Sequence, residues 1–345
     1  MNNDEKYMLR CIELAKKGMG NVAPNPMVGA VIVHDNKIIG EGYHQQYGEP
    51  HAEVNAIEQV KNKALLSNST LYVSLEPCAH QGKTPPCSDL IIKSKIPKVI
   101  IGCKDVFDKV NGKGIEKLKK AGINVFSGIL EKNCLELNNR FFTYHQKKRP
   151  YIILKWAQTL DGYIDKIRTS DTKTGINWIT SEITQSLSHK WRAEEDAILV
   201  GRSTIENDNP SLTTRAYNGK DPIRFIIDTD LKLSSNYKVF EDGDCSYVIN
   251  SKKELKENNV NYIKCSKEHL LVELMGFLYD QKIQSIIIEG GKKTIESFIQ
   301  KELWDEARVL TGNTFFENGL QAPKLNRTPL HSFHINKDRI DIFRI

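Results

Sequence analysis

Two short segments in the first hundred residues contain the side chains of a metal site and of a proton carrier. His51 and Glu53 lie in "GEPHAEVNAI", at the predicted start of a helix, while Cys78 and Cys87 lie in "SLEPCAHQGKTPPC". One histidine and two cysteines can hold Zn²⁺ and leave its fourth tetrahedral position open for water. Zinc lowers the pKa of that water to about 7, and a nearby glutamate can carry the proton. Each residue alone would indicate an ordinary helix or core position, but the ordered set predicts a zinc site with Glu53 as its catalytic carboxylate.

The composition argues against several other classes of protein. The chain of 345 residues is long enough for two domains, and 39% of its residues are hydrophobic. Its net charge of +6 is too mild for the dense basic surface of a nucleic-acid binder. The seven cysteines, an odd and scattered set, do not resemble a secreted disulfide framework. Because the start lacks a signal-peptide core and no run of about 18 apolar residues occurs, we expect a cytoplasmic protein without membrane contact.

The zinc set combines the same ligands and glutamate as the zinc deaminases. Its spacing departs from their usual signature, because eight residues rather than two separate Cys78 from Cys87. Together with "PNPMVGAVIV" and "GEGYHQQYGEPHAEVNA", the segment "LEPCAHQGKTPPC" resembles the N-terminal half of the bifunctional deaminase-reductases of riboflavin biosynthesis. The resemblance implies a cytidine-deaminase-like three-layer α/β/α domain with one Zn²⁺ per deaminase site and a pyrimidine ribosyl-phosphate substrate. It also implies that the substrate is contacted by Asn25, His44, His80, Lys83 and Thr84.

Segments of the second half resemble the reductase half of the same family. They are, in the family's order, "KWAQTLDG", "NWITS", "HKWRAEEDAILVGRSTIENDNPSLTTR", "PIRFIIDT" and "IIIEGGKKTIESF". The resemblance implies a dihydrofolate-reductase-like α/β domain that uses NADPH. The implied cofactor-binding residues are Ala157, Trp178, Thr204, Asp208, Thr229, Gly291, Lys292, Lys293 and Thr294. The implied substrate-binding residues are Lys155, Arg192, Leu212, Arg215 and Glu289.

The segment "EGGKKT" also has a physical interpretation of its own. Two glycines between an apolar strand and a helix let backbone N–H groups approach a phosphate at the positive end of the helix. Lys292 and Lys293 add positive charge that suits the phosphates of NADPH. A Gly-Gly pair alone would indicate only a tight turn, and this is not the six-residue dinucleotide fingerprint. Apart from the basic pair, the segment leaves the preference between NADPH and NADH open.

Reduction needs little from side chains, because the cofactor supplies the hydride. We expect Lys155 or Asp208 to assist, although Lys155 could equally be a structural partner of Asp161. Arg192 and Arg215 can make bidentate contacts with the substrate phosphate.

Two stretches depart from the family pattern. The segment between Asp161 and Trp178 is longer than usual, and Ile176 or Asn177 stands where a serine is expected. The stretch "TGNTFFENGLQAPKL" near the end also differs. These changes affect the expected reductase contacts and the last strands, and they leave open whether they impair the reductase.

The apolar periodicity predicts the elements that position these residues. In the first half the predicted helices cover 4–18, 51–62, 87–94 and 112–121, and the predicted strands lie in "MVGAVIVHD" and "KIIGEGYH" and over 70–75, 98–102 and 123–127. Because helices separate several of these strands, we expect a partly parallel sheet covered on both faces.

The pattern restarts after Pro150. The segment "NNRFFTYHQKKRP", which ends there, is polar and basic and receives no element, so we expect a deaminase domain at 1–147 and a reductase domain at 148–345. The second half contains predicted strands in "YIILKWAQTLDGYI" and "DAILVG" and over 223–228 and 284–288, with helices over 180–194 and in "EGGKKTIESFI". No strand order is predicted for 231–265.

The hypothesis is therefore a bifunctional enzyme that deaminates a pyrimidine ribosyl phosphate and then reduces its ribosyl side chain with NADPH. We expect a homo-oligomer formed through the reductase domain, and no nucleic-acid partner. One alternative is a nucleic-acid or nucleoside base deaminase with a non-catalytic second domain. Another is a regulatory ligand-binding protein whose reductase half has decayed.

Overall fold

The computed structural model of the protein describes residues 2–81, 85–106, 111–169, 171–172, 174–241 and 245–345. The chain divides into two compact units, Met1–Lys148 and Arg149–Ile345. Lys83 and Thr84, two residues of the predicted substrate loop, lie outside the described residues. In the described part of the chain, no helix has the length and apolar character needed to span a membrane.

The first unit alternates helices with strands. Its helices are α1 (Asn3–Lys16), α2 (Ala52–Gln59), α3 (Cys87–Lys93), α4 (Lys113–Lys120), α5 (Glu131–Leu137) and α6 (Asn139–Lys147), with a 3₁₀ helix at Lys63–Asn68. Its strands are β1 (Gly29–His34), β2 (Lys37–Tyr43), β3 (Thr70–Leu75), β4 (Lys98–Cys103) and β5 (Asn124–Ser127).

The sheet of the first unit has the strand order β2-β1-β3-β4-β5. Strand β1 runs antiparallel to β2 and β3, whereas β3, β4 and β5 are parallel. The turn between β1 and β2 uses Asp35 and Asn36 with φ of 47° and 60°, a left-handed conformation that Asp and Asn tolerate. The predicted hairpin and the predicted partly parallel sheet are therefore confirmed.

Alternate residues of β1 face two different helical layers. Ala30 and Ile32 pack in one buried cluster with residues of α2, α3 and α4. Val31 and Val33 pack in the other cluster with residues of α1, α5 and α6. Successive side chains of a strand point to opposite faces, so a strand of almost entirely buried residues indicates helices on both sides. The unit is a three-layer α/β/α structure.

The segment before Pro150 is helical, which its polar and basic composition does not indicate. It forms α6, and Phe141 and Phe142 are buried in the same cluster as Tyr7 and Met8 of α1. The two adjacent phenylalanines bury enough apolar surface to dock a helix whose other side chains are polar.

The second unit is built around a larger sheet. Its helices are α7 (Glu182–Glu194), α8 (Arg202–Asp208), α9 (Lys238–Glu241), α10 (Leu270–Asp280) and α11 (Lys292–Gln300). Its strands are β6 (Tyr151–Thr159), β7 (Tyr163–Asp165), β8 (Ala197–Gly201), β9 (Ile223–Ile227), β10 (Ser246–Asn250), β11 (Leu255–Glu257), β12 (Val260–Lys264), β13 (Ser285–Ile288), β14 (Glu306–Gly312), β15 (Leu320–Gln321), β16 (His331–Ile335) and β17 (Asp338–Arg344).

The order of the main sheet is β11-β12-β10-β9-β8-β13-β6-β14-β17-β16. The central strands are parallel to one another, namely β12, β10, β9, β8, β13, β6 and β14. The outer strands β11, β17 and β16 are antiparallel to their neighbours. Region 231–265, for which no order was predicted, supplies β10, β12 and β11 at one edge. In an open parallel sheet, ligands bind outside the carboxyl ends of the strands, so the loops after β6, β8 and β13 are the expected position of a site.

Candidate active sites

His51, Cys78 and Cys87 converge in the first unit. His51 caps α2, Cys78 follows β3, and Cys87 is the first residue of α3, so three neighbouring elements each supply one ligand. The His51 Nδ1 atom lies 3.7 Å from Cys78 Sγ and 3.3 Å from Cys87 Sγ. All three donor atoms lie within 4.8 Å of one another. One imidazole nitrogen and two sulfurs at this spacing fit Zn²⁺, for which they are common ligands.

The electrostatics of the two cysteines also favour a cation. The pKa of the Cys78 thiol is lowered by hydrogen bonds from the Cys87 thiol and from His51, although burial opposes the shift. The backbone N–H of Cys87 donates to Cys78 Sγ at 3.3 Å. The hydrogen bond to Cys78, together with burial, raises the pKa of Cys87. A thiolate ligand is therefore prepared by the fold itself.

Glu53 lies in the first turn of α2, two residues after His51, and is buried. Burial raises the pKa of its carboxyl group, and the neighbouring Cys78 raises it further. A raised pKa makes the carboxylate a better proton acceptor, which suits the predicted catalytic role.

Asn25 and His44 lie together beside His51, one of the predicted zinc ligands. The Asn25 side-chain amide lies 3.0 Å from His44 Nε2, and His44 Nδ1 lies 3.2 Å from the Pro50 carbonyl oxygen. Because that oxygen can only accept, Nδ1 carries the proton and Nε2 accepts from Asn25. Burial lowers the pKa of His44, and its ring meets the His51 ring edge-on at 5.3 Å. These two predicted substrate residues thus form one hydrogen-bonded pair.

His80, the described member of the predicted trio in the cysteine loop, is half-buried three residues before Lys83. The predicted roles of Lys83 and Thr84 remain predictions, because both residues lie outside the described part of the chain.

In the second unit, Lys155, Arg192 and Glu289 form a buried ion network. Strand β13 pairs in parallel with β6 so that Ile288 lies opposite Leu154, which brings Glu289 level with Lys155. Arg192 donates to both Glu289 oxygens at 2.9 and 2.7 Å, and Lys155 Nζ lies 3.5 Å from Glu289. These positive charges lower the pKa of Glu289 to about 2 even though burial would raise it.

Lys155 pairs with Glu289 and not with Asp161, so the alternative that the sequence offered is wrong. Asp161 instead accepts hydrogen bonds from the backbone N–H groups of Phe316 and Glu317, at 3.2 and 2.8 Å. Lys155 points to Glu289, and burial lowers its pKa. The sheet register sets this choice, and the register is not apparent from the sequence.

His189 belongs to the same region and was missed by the sequence analysis. It is buried, and its Nδ1 lies 2.9 Å from the Thr213 carbonyl oxygen, which also accepts from Arg192 at 3.0 Å. Burial and the nearby Arg192 and Arg215 lower the pKa of His189 to about 4. Its position three residues before Arg192 on one helix was the available signal. Of the other predicted substrate residues, Leu212 is buried and Arg215 is exposed.

The predicted cofactor residues near the glycine pair are close to one another. Gly291 has φ of 57° and precedes α11, which begins at Lys292. A Cβ atom at Gly291 would lie 3.3 Å from Thr204 Oγ1, and one at Gly201 would lie 2.5 Å from Thr294 Oγ1. The turn therefore packs closely against the start of α8. Lys292 is half-buried and Lys293 is exposed, so a helix N-terminus and two lysines are available for a phosphate.

The remaining predicted cofactor residues lie on other parts of the second unit. Ala157 is a half-buried residue of β6, and Trp178 is 55% exposed. Thr229 follows β9, where its carbonyl oxygen accepts from Ser251. Asp208 ends α8, and burial raises its pKa to about 6 although Arg168 opposes the shift.

Comparisons with known proteins cover both units. Residues 1–103 match the cytidine and deoxycytidylate deaminase zinc-binding region, and residues 150–318 match the RibD C-terminal domain. The riboflavin biosynthesis protein RibD of Aquifex aeolicus is 39% identical over 98% of this chain and 95% of that protein. The chain belongs to the RibD family. RibD of Escherichia coli is 36% identical over 89% of this chain and 86% of that protein.

Solved structures agree with this membership. A diaminohydroxyphosphoribosylaminopyrimidine deaminase/5-amino-6-(5-phosphoribosylamino)uracil reductase from Thermotoga maritima is 37% identical, with a TM-score of 0.88 over 99% of this chain and 98% of that chain. RibD from Acinetobacter baumannii is 32% identical, also with a TM-score of 0.88. The predicted fold class and the predicted zinc and NADPH dependence are confirmed, and the chain is a bifunctional deaminase and reductase of riboflavin biosynthesis. Because the matches extend over both units, they count against a non-catalytic second half.

Proposed function

We propose that residues 1–147 deaminate 2,5-diamino-6-ribosylamino-4(3H)-pyrimidinone 5′-phosphate and that residues 148–345 reduce the ribosyl side chain of the product. The observation that carries the proposal is the convergence of His51, Cys78 and Cys87 beside the buried Glu53. The T. maritima relative named for both activities matches almost the whole chain.

In the first unit, His51, Cys78 and Cys87 would hold Zn²⁺ and Glu53 would move the protons. Zn²⁺ bound there would supply Lewis-acid activation of a water molecule. Glu53 would accept one proton of the water and pass it to the pyrimidine ring nitrogen, and would then carry the second proton, from the newly attached hydroxyl group, to the departing amino group. Water is thus consumed, the 2-amino group leaves as ammonia, and a carbonyl group replaces it. The neutral His44, held by Asn25 and the Pro50 carbonyl oxygen, lies beside His51.

In the second unit, the glycine turn and the N-terminus of α11 would hold the phosphates of the cofactor, assisted by Lys292 and Lys293. NADPH bound there would supply a hydride to C1 of the opened ribose. Lys155 holds a proton at the middle of β6, level with the carboxyl end of β13, where burial lowers its pKa and eases proton release. The product is the 5-amino-6-ribitylaminouracil 5′-phosphate.

Arg192 and Arg215 would have different roles in binding the substrate. The guanidinium group of Arg192 donates to both oxygens of Glu289 and therefore positions that carboxylate. The charged oxygens of Glu289 can accept hydrogen bonds from substrate hydroxyl groups. Arg215 is exposed and can make the bidentate contact with the substrate phosphate.

We also propose that the protein acts in the cytoplasm as a homo-oligomer joined through the second unit. The seven cysteines are free, which suits a reducing compartment that preserves thiol ligands. Mass photometry of the full chain and of a variant with a charged residue in the exposed edge strand β16 would test the association.

The function is tested with zinc-loaded protein, the diaminopyrimidinone substrate and NADPH. Ammonia should appear first, and one NADPH should be oxidised for each ammonia released. A zinc chelator should stop ammonia release and, as a consequence, NADPH oxidation from this substrate. Failure of the untreated protein to release ammonia, or to oxidise NADPH after releasing it, would refute the corresponding half of the proposal.

A further inference from the structure

The segment that departs from the family pattern is organised around one arginine. We call its described residues, 163–169, 171–172 and 174–179, the strap. Arg168 Nε donates to Asp165 at 2.6 Å, Nη1 donates to the Asn207 carbonyl oxygen at 3.0 Å, and Nη2 donates to the Gly175 carbonyl oxygen at 2.9 Å. Nη2 also donates to Asp208 Oδ1 at 2.8 Å. Most N–H groups of the guanidinium group therefore donate to acceptors within the second unit.

These bonds join three separate parts of the second unit. Asp165 ends β7, Gly175 lies near the far end of the strap, and Asn207 and Asp208 end α8. Two further bonds strengthen the connection: the Gly175 N–H donates to the Asn207 carbonyl oxygen at 2.8 Å, and Asn177 Nδ2 donates to Asp165 at 2.7 Å. The Arg168 side chain is 14% exposed, so its charge is shielded from water and its bonds are not simply surface contacts.

The strap lies along the carboxyl edge of the sheet. At one end, a Cβ atom on Gly312, the last residue of β14, would clash with the Ile179 carbonyl oxygen. Elsewhere in the strap, Arg168 is bound to the last residues of α8. Thr204 of the same helix packs against the Gly291 turn. Trp178 lies between these two anchors with 55% of its surface exposed. An exposed indole held at this edge can pack against a ligand.

We propose that Arg168 is a positioning residue of the reductase, which holds the strap so that Trp178 and Asp208 are preorganised for the nicotinamide cofactor. This inference rests on the proposed reductase function of the second unit. Without Arg168, binding the cofactor must also order the strap, and that cost weakens affinity without changing the chemistry of the bound complex. Arg168 thus acts on cofactor binding rather than on hydride transfer.

The test compares the wild-type protein with R168M, R168K and the matched control R339M. Arg339 lies on β17, where its side chain pairs with Asp341 at 2.8 Å and bonds to no described residue of the strap. R168M should raise both the KM and the directly titrated Kd for NADPH about tenfold while leaving kcat and ammonia release nearly unchanged. R168K retains the positive charge but not the planar guanidinium group, so its KM and Kd for NADPH should lie between those of R168M and wild type. R339M should match wild type.

Limited trypsin digestion without cofactor provides a readout independent of activity. Cleavage after Lys166, an exposed residue of the strap, should be faster in R168M than in R339M or wild type. Wild-type NADPH affinity in R168M, or a lower kcat with unchanged affinity, would overturn the inference. If R168M does not fold, R168K decides: weaker NADPH binding supports the inference and wild-type binding overturns it. A wild-type protein that neither binds nor oxidises NADPH would refute the proposed function instead.

Discussion

Glu53 and Glu289 are both buried carboxylates, but their surroundings move their pKa values in opposite directions. Burial raises the pKa of Glu53, and the charge of Cys78 adds to that shift. For Glu289, Arg192 and Lys155 overcome burial and lower the pKa to about 2. A carboxyl group with a raised pKa takes up a proton more readily, whereas one with a lowered pKa remains charged and acts as a hydrogen-bond acceptor. The two side chains therefore suit proton transfer and substrate positioning, respectively.

Replacing Glu53 with glutamine should remove deamination but preserve the metal. We expect ammonia release to fall about 10²- to 10⁴-fold, because the general acid–base is lost. Zinc content measured by atomic emission should not change, since the three ligands remain. The control is E58Q, an exposed residue on the same helix α2. Ammonia release by E53Q at close to the wild-type rate would contradict the assigned role.

Glu289 should link the stability of the second unit to acidic pH. Its pKa is about 2 in the folded protein against an ordinary 4.5. A lowered folded pKa gives stability that is present above about pH 4.5 and is lost as the pH falls towards 2. E289Q leaves Arg192 and Lys155 without their buried partner and should cost about 3 kcal/mol at pH 7.

Urea denaturation of wild type and E289Q at several pH values measures this linkage. The difference in unfolding free energy should be largest at neutral pH and should shrink below about pH 4.5. The control is E302Q, an exposed residue after α11. A difference that stays constant between pH 7 and pH 3 would show that the charge of Glu289 is not what stabilises the network.

At the element scale, α6 shows how packing overrides composition. Its segment is polar and basic, yet Phe141 and Phe142 are buried against α1 and thereby fix the last helix of the first unit. The helix is nine residues long, too short to be stable in water without these contacts.

Truncating one of these rings should destabilise the first unit. F141A should lower its unfolding free energy by about 3 to 5 kcal/mol, because the cavity adds to the lost burial. Thermal unfolding followed by ammonia-release activity measures the effect on this unit. L135A on α5, where the side chain is 38% exposed, serves as the control and should change little. Equal midpoints for the two variants would mean that α6 does not contribute to the core.

The sequence permitted prediction of the zinc set and most element bounds, but not the second unit's polar networks. His51, Glu53, Cys78 and Cys87 could be identified because each belongs to a short local pattern next to a predicted helix or strand. The partner of Lys155 could not be predicted, since Glu289 comes level with it only through the register of β13 on β6. The bonds of Arg168 to the end of α8 likewise depend on how distant elements pack.

At the scale of the whole molecule, one chain combines two compact units with separate chemistry. The first contains the predicted zinc ligands and Glu53, and the second contains the glycine turn, the Lys155–Glu289 network and the strap. Because each set of residues lies entirely within its own unit, the account requires the reductase to work when the deaminase is disabled.

The most direct measurement follows NADPH absorbance when the deaminated intermediate, 5-amino-6-ribosylaminouracil 5′-phosphate, is given to the E53Q protein. We expect oxidation at the wild-type rate, although this variant releases almost no ammonia from the diaminopyrimidinone substrate. Absence of NADPH oxidation from the supplied intermediate, in both E53Q and wild type, would show that the second unit is not an active reductase.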